Sequence, residues 1–308
     1  MLNLDAIQKR LIEEIADLHS VPEGAYNFRA NSQLAGRNST ANIDIVSKEN
    51  GSGIDIHIKP GTRKESVHIP VVLSQSGIKE TVYNDFYIGE DSDVVIVAGC
   101  GIDNCGTQDS EHDGIHRFYI GKNAKVKYVE KHYGSGDGRG QRILNPVTEV
   151  YMEEGSTMEM EMEQIKGVDS TDRRTIAELK ADAKLVVKER LMTHGSQNAV
   201  SDYQVNLSGE GATADVVSRS VARDESSQTF NARITGNAPC SGHTECDSII
   251  MDNGHILAIP SLEANHVDAM LVHEAAIGKI AGDQLVKLMT LGLTEQQAEE
   301  QIISGFLR

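Results

Sequence analysis

A nine-residue unit recurs through the middle of this 308-residue chain, and it restricts the fold more than any other feature of the sequence. The clearest copies are Tyr87-Ile-Gly-Glu-Asp-Ser-Asp-Val-Val, Tyr119-Ile-Gly-Lys-Asn-Ala-Lys-Val-Lys and Tyr151-Met-Glu-Glu-Gly-Ser-Thr-Met-Glu, with weaker ones beginning at Glu178 and Leu207. The starts at 87, 119, 151, 178 and 207 are separated by 32, 32, 27 and 29 residues. The fifth position is always Asp, Asn or Gly, and the sixth is always Ser or Ala. Asp, Asn and Gly tolerate left-handed backbone angles, so the fifth position marks a tight turn. A small sixth residue can tuck into a corner. Flanking runs such as Val126-Lys127-Tyr128-Val129 alternate as a strand with one inward face does. A repeat of this length without a helical pattern points to stacked coils, whereas a β-sandwich has no reason to return one turn at near-constant spacing. The expected fold is mainly β: a right-handed parallel β-helix over 41–262, with an N-terminal helix and linker over 1–40 and a small C-terminal helical segment over 263–308.

The flanks read as helices. Leu4, Ile7, Leu11, Ile15 and Leu18 share one face of a helix over 3–19, with Asn3 as its N-cap. Val267, Leu271, Ala275 and Ile280 fit the start of another helix over 267–280. Gln284 to Met289 continues a helical pattern, and Gly292 suits its C-cap. Thr294 to Gln297 forms a capping box for a last helix to about Gly305, on which Ala298, Ile302 and Phe306 share a face. These helices are expected to cap the end of the solenoid and shield its edge.

The formal charge of −17 disfavours nucleic acid as a partner, because a phosphate backbone would be repelled. No stretch approaches the ~20 apolar residues of a membrane-spanning helix, and the first residues lack a signal-peptide pattern. A cytoplasmic location is expected, with thiols kept reduced. With Trp absent and aromatics at 4%, the sugar-stacking platforms of a β-helical carbohydrate lyase are poorly supplied.

Four cysteines carry most of the chemical interest: Cys100, Cys105, Cys240 and Cys246. Cys240, His243 and Cys246 fall within seven residues and could gather ligands on one loop, for iron or zinc. Cys100, Cys105, His112 and His116 form a second group of metal-ligand type, alongside the plain reading of buried or solvated positions on successive coils. The Gly-rich run His132 to Gly140 contains no phosphate-binding G-x-x-x-x-G-K-[ST] pattern, so any nucleotide must be handled by another protein.

Residues 240–308 resemble the C-terminal part of the SufB/SufD family of iron–sulfur cluster assembly scaffolds. The matching segments are Glu245-Cys246-Asp247-Ser248, Ile259-Pro260 with Glu263-Ala264, His273-Glu274-Ala275, Gly278-Lys279-Ile280, Asp283-Gln284-Leu285, and then Ala298, Ile302, Gly305 and Phe306. The resemblance implies the same β-helix for the rest of the chain. It implies a non-enzymatic scaffold that assembles an iron–sulfur cluster transiently, expected of four-iron type, and passes it on. The site it implies is Cys246 with His273 and Glu274, shared across the axis of a homodimer; Cys240 and His243 are further candidates.

The chain resembles the short anaerobe and archaeal type, with most of the N-terminal helical domain of larger relatives expected to be missing. The implied partner is a SufC-like ABC ATPase, docked on Gly278, Lys279, Ile280, Asp283, Gln284, Leu285 and Leu288. Larger SufB proteins carry a mid-chain cysteine that takes up sulfur; no cysteine lies between Cys105 and Cys240 here, so direct use of sulfide is the expected route. The competing reading is a SufD-like stabilising partner without its own cluster, and Cys246 argues against it.

Overall fold

The computed structural model describes residues 4–308. Helix α1 (Ala6–Ala16) leads into two antiparallel pairs, β1 (Ala25–Ala30) with β2 (Gln33–Asn38), and β3 (Ile43–Ser47) with β4 (Gly53–Ile58). Coils follow: β5 (Arg63–Leu73), β6 (Lys79–Ile88), β7 (Asp93–Asp103), β8 (Ser110–Ile120), β9 (Lys125–Ser135), β10 (Arg142–Leu144) and β11 (Val147–Met152). They continue as β12 (Thr157–Lys166), β13 (Ser170–Leu179), β14 (Lys184–Thr193), β15 (Asn198–Leu207), β16 (Thr213–Ala222), β17 (Ser227–Gly236), β18 (Cys240–Ile250), β19 (His255–Ala264) and β20 (Ala269–Gly278). Two helices end the chain, α2 (Gly282–Thr290) and α3 (Glu295–Phe306).

The strands alternate between two sheets of parallel order, one running β5-β7-β9-β12-β14-β16-β18-β20 and the other β4-β6-β8 through β10 and β11 to β13-β15-β17-β19. This is the expected parallel β-helix. The fifth position of the repeat makes the corner between the sheets. Asp91, Asn123, Gly155, Asp182 and Gly211 all take positive φ, between 55° and 72°. The sixth positions, Ser92, Ala124, Ser156, Ala183 and Ala212, are buried beneath them. Successive corners stack by backbone hydrogen bonds, such as Asp91 N–H to Lys122 O and Asn123 N–H to Glu154 O. The uneven repeat length arises at the other corner, where the loop over 136–141 is longer than the turn over 167–169. The Tyr residues opening the repeat stack outside: Tyr87, Tyr119 and Tyr151 lie 5.2 Å apart in succession. Inside, Phe86 stacks on Phe118 at 4.4 Å in a core of Ile, Val, Leu and Met.

The N-terminal helix forms, capped by Asp5 with Gln8 in a capping box; Asn3, the expected cap, lies outside the described residues. Leu11 and Ile15 are buried against β7, while Ile7 is exposed. Gly99 and Gly101 allow this approach: a Cβ on Gly99 would sit 2.8 Å from Ile15 O, and one on Gly101 3.2 Å from Leu11 Cβ. The region after α1 is not a linker, because β1 extends the first sheet by pairing with β5.

The C-terminal flank departs from expectation in two ways. Residues 269–278 are strand rather than helix, so the coils extend past residue 262 to Gly278. Leu271 and Ala275 are four apart, and that spacing shares a face in a strand as well as in a helix; the ladder offered by β18 decides. The helices also do not cap the end. Ile303 and Leu307, at the end of α3, are buried with Val221, and Ile165, Met192 and Ile249 pack around them, so α3 lies along the ends of β12, β14, β16 and β18. Twelve helical residues span about 18 Å, enough to cross four strands spaced ~4.8 Å apart. The terminal coil, β19 and β20, is left open, with Leu257, Ile259, Leu262, Met270, Val272 and Ile277 exposed.

Candidate functional site

Cys246 sits on β18, whose residues alternate between buried and half-exposed. Thr244, Cys246 and Ser248 point into the coil; His243, Glu245 and Asp247 point outward. The Cys246 thiol is 1% exposed, and burial pushes it above the ordinary thiol range. Its neighbour on β20 is Ala275, on the open coil. His273 is also on the inner face, its Nδ1 2.6 Å from Thr244 Oγ1. The structure therefore brings Cys246 and His273 to one face. Glu274, next in sequence, stands on the outer face opposite Glu245, so the three expected ligands are not one cluster within a single chain.

Cys240, His243 and Cys246 do not share a loop. They lie on one extended strand, where six residues span about 20 Å, and His243 faces the other way from the two cysteines. The second expected group is also divided. Cys105 lies in the loop after β7, its thiol 3.3 Å from Asp103 Oδ1, and His116 binds Tyr128 OH at 2.7 Å. Cys100 and His112 do meet inside the first coils. Burial pushes the Cys100 thiol up, but His112 and His132 outweigh it and bring it down to about 7. Burial likewise opposes charge on His112, yet Cys100 and Glu80 raise it to about 10. Glu80 Oε1 holds His112 Nδ1 at 3.1 Å, and Arg29 binds the same carboxylate at 2.9 Å. Cys100 and His112 thus shift each other toward the charged form, beside a carboxylate that His112 and Arg29 hold low.

Between these two thiols runs a buried polar file. His132 is followed by Arg173, whose Nη2 lies 3.2 Å from His132 Nδ1. Arg173 also hydrogen-bonds Glu130, and its Nε lies 3.7 Å from Glu189 Oε1. Glu189 accepts from Ser201 at 2.6 Å, Tyr203 at 3.0 Å and Ser218 at 2.8 Å. Ser218 is the register neighbour of Cys246. Burial opposes charge on Glu130, but Arg173 and then His132 hold its carboxyl well below the usual carboxylate range. The signal was present in β9: Val126, Tyr128, Glu130 and His132 are every second residue, which places a glutamate and a histidine on the inward side.

The expected docking residues divide as well. Ile280, Leu285 and Leu288 are half-buried rather than exposed, and Ile280 packs in the cluster beneath α3. The exposed apolar side chains here are Val286, Met289 and Leu291. Gly278, Lys279, Asp283 and Gln284 are exposed.

Residues 84–306 match the family model described as the SufBD core domain of SUF-system iron–sulfur cluster assembly. The chain belongs to the SufBD family. It is 30% identical over 255 residues to an iron–sulfur cluster assembly SufBD family protein of Methanocaldococcus jannaschii, a match covering 82% of this chain and 79% of the relative. It is 28% identical over 260 residues to one of Methanothermobacter thermautotrophicus, covering 83% of this chain but only 62% of the relative. The iron–sulfur cluster assembly protein SufB of Bacillus subtilis is 25% identical over 227 residues, 71% of this chain and 47% of that protein. Among the described residues of this SufBD chain no helix is long and apolar enough to cross a membrane.

Proposed function

We propose that this SufBD chain is a cytoplasmic scaffold on which an iron–sulfur cluster of four-iron type is assembled as cargo, in a homodimer served by a SufC-like ABC ATPase. The observation that carries the reading is the position of Cys246. Its thiol lies inside the solenoid, one strand from the open end, where the buried polar file finishes. Thiolate is the ligand of choice for iron–sulfur clusters, and His273 supplies a weaker nitrogen ligand on the same face, which suits a cluster that must leave.

The terminal coil favours pairing with a second copy. Its strands have free hydrogen-bonding edges and apolar residues on both faces, and such edges invite strand pairing. A dimer through 240–275 would bring two Cys246–His273 pairs together. The low-pKa Cys100 favours a sulfur entry point inside the first coils in addition to direct use of sulfide. The exposed Val286, Met289 and Leu291 are the surface offered to the ATPase.

Anaerobic reconstitution of the full chain with Fe2+ and sulfide tests the site. A brown chromophore should form on the parent protein and be lost in Cys246→Ala and His273→Ala; full cluster content in both variants refutes the assignment. Sedimentation should show a dimer, and a cluster-loaded monomer at micromolar concentration would refute the shared site.

A further inference from the structure

The outer side of β18 carries a second set of ligand groups. His243 and Glu245 point away from the interior. Glu274 stands directly opposite Glu245 across the β18–β20 ladder. Ligand atoms of His243, Glu245 and Glu274 all lie within 4.8 Å of one another. Asp215 is the register neighbour of His243 on β16, and its Oδ1 lies 2.8 Å from His243 Nδ1.

Two features set this group apart from an ordinary solvated face. The first is charge. Elsewhere on the same face, carboxylates are matched by cations on neighbouring strands, as in Lys127–Glu161 at 2.9 Å and Lys188–Glu159 at 2.6 Å. Like charges placed directly opposite each other are destabilising. Glu245 and Glu274 are so placed, and among the described residues neither has a lysine or arginine within salt-bridge distance. Burial and then Asp247 push the Glu245 carboxyl up, while the more distant Arg219 and His243 pull it down. A divalent cation is the countercharge that two facing carboxylates lack. The second feature is tautomer control. With Asp215 engaging Nδ1–H, Nε2 of His243 is left with its lone pair free. A carboxylate holding the far nitrogen of a histidine is the arrangement that orients imidazole toward a metal.

We propose that His243, Glu245 and Glu274, backed by Asp215, form a docking site for a first-row divalent cation of the Fe2+ class on the outside of the coil whose inside carries Cys246. One imidazole nitrogen and two carboxylates suit Fe2+, Mn2+, Co2+ or Zn2+, and the absence of sulfur from the set disfavours Cu+. The three groups are half-exposed or exposed, which leaves coordination positions to water and lets the ion exchange. The ligand set stands by itself; only the naming of iron as the natural ion rests on the cluster-assembly reading. On that reading iron waits on one side of a strand and the assembling thiol stands on the other, at adjacent residues 245 and 246.

Titration of the metal-free full chain with Co2+ under anaerobic conditions tests the site. One equivalent should bind per chain, giving d–d bands without the sulfur-to-cobalt charge-transfer band of a thiolate ligand. His243→Gln and Glu245→Gln should each weaken Co2+ binding by at least tenfold, and Asp215→Asn by about tenfold, within the range for loss of a partner holding a ligand histidine. Titration of Cys246→Ser beside the parent separates the outer site, whose d–d bands should persist, from any cobalt held by the interior thiol, whose charge-transfer band the substitution removes. Unaltered affinity in both His243→Gln and Glu245→Gln overturns the proposal. Parallel melting curves check that each variant, including the one at the buried Cys246, remains folded. If Cys246→Ala keeps its cluster, the assembly reading fails while the cation site stands; if Co2+ binding is insensitive to the outer residues, the reverse holds.

Discussion

Ala275 is the residue of the terminal strand that lies directly beside Cys246, and a single methyl group therefore stands between the thiol and the open end of the solenoid. A larger side chain here would fill the approach without entering a packed core, because Ala275 itself is exposed. Ala275→Leu is expected to cut cluster loading several-fold in reconstitution while leaving the melting temperature unchanged. Normal loading in a folded Ala275→Leu protein would show that the thiol is reached from elsewhere.

Arg173 is expected to be the most sensitive position in the interior. It is the cation between Glu130 and Glu189, and all three are buried. Removing one member of a buried charge network leaves the others uncompensated, at a cost of about 3–5 kcal/mol. Arg173→Met should lower the unfolding free energy by that order in denaturant titrations, whereas Arg174→Met, at a half-exposed neighbour paired loosely with Asp202 at 3.5 Å, should change it by less than about 1 kcal/mol. Similar losses in the two would mean that the network is not anchored at Arg173.

The two interior thiols should titrate apart. Cys100 is brought to about 7 by His112 and His132, whereas burial raises Cys246 above its ordinary 9.0. Thiolate ultraviolet absorbance in proteins retaining a single cysteine should therefore show Cys100 ionising near neutrality and Cys246 above the ordinary thiol range. His112→Gln should move the Cys100 transition upward. Linkage gives a second sign. Glu80 is held at about 2, below its ordinary 4.5, because His112 and Arg29 outweigh burial. Its contribution to stability is complete above pH 4.5 and is lost as pH falls toward 2. Acid denaturation of Glu80→Gln should be correspondingly shallower across that window, and an unchanged acid limb would contradict the assigned pair.

Docking of an ATPase should depend on the exposed residues of α2 and on Leu291, which caps its C-terminal end. Val286 is 59% exposed and Leu291 77%, whereas Leu285 and Leu288 are half-buried. Val286→Glu with Leu291→Glu should abolish co-purification with a SufC-like partner and leave the fold intact; Leu285→Glu with Leu288→Glu should instead loosen the helix pair. Retained binding in the folded surface double variant would exclude this platform.

Much of the architecture was legible because the corners obey local chemistry. Asp91, Asn123 and Gly155 announce left-handed turns whatever packs around them, and Ser92 and Ala124 announce the small space beneath. The terminal strand was not legible, since the spacing of Leu271 and Ala275 satisfies helix and strand alike and only the edge of β18 chooses. The candidate site was half legible. The ladder sets His273 and Glu274 beside Thr244 and Glu245, just before Cys246, but strand alternation sends Glu274 outward while His273 turns in. The polar file was hidden for a different reason. Its members come from strands of both sheets, with directly bonded partners up to 43 residues apart, as Arg173 and Glu130 are, and only the closed coil brings them together.

Helix α3 acts mechanically as a splint. It is clamped across the ends of four strands, so a pull delivered through α2 loads those strands side by side instead of peeling the outermost coil away from its neighbours. The coils from β12 to β18 would then respond as one stiff body. The compliant part of the molecule is the terminal strand β20 beyond it, which is where displacement would open a path to Cys246.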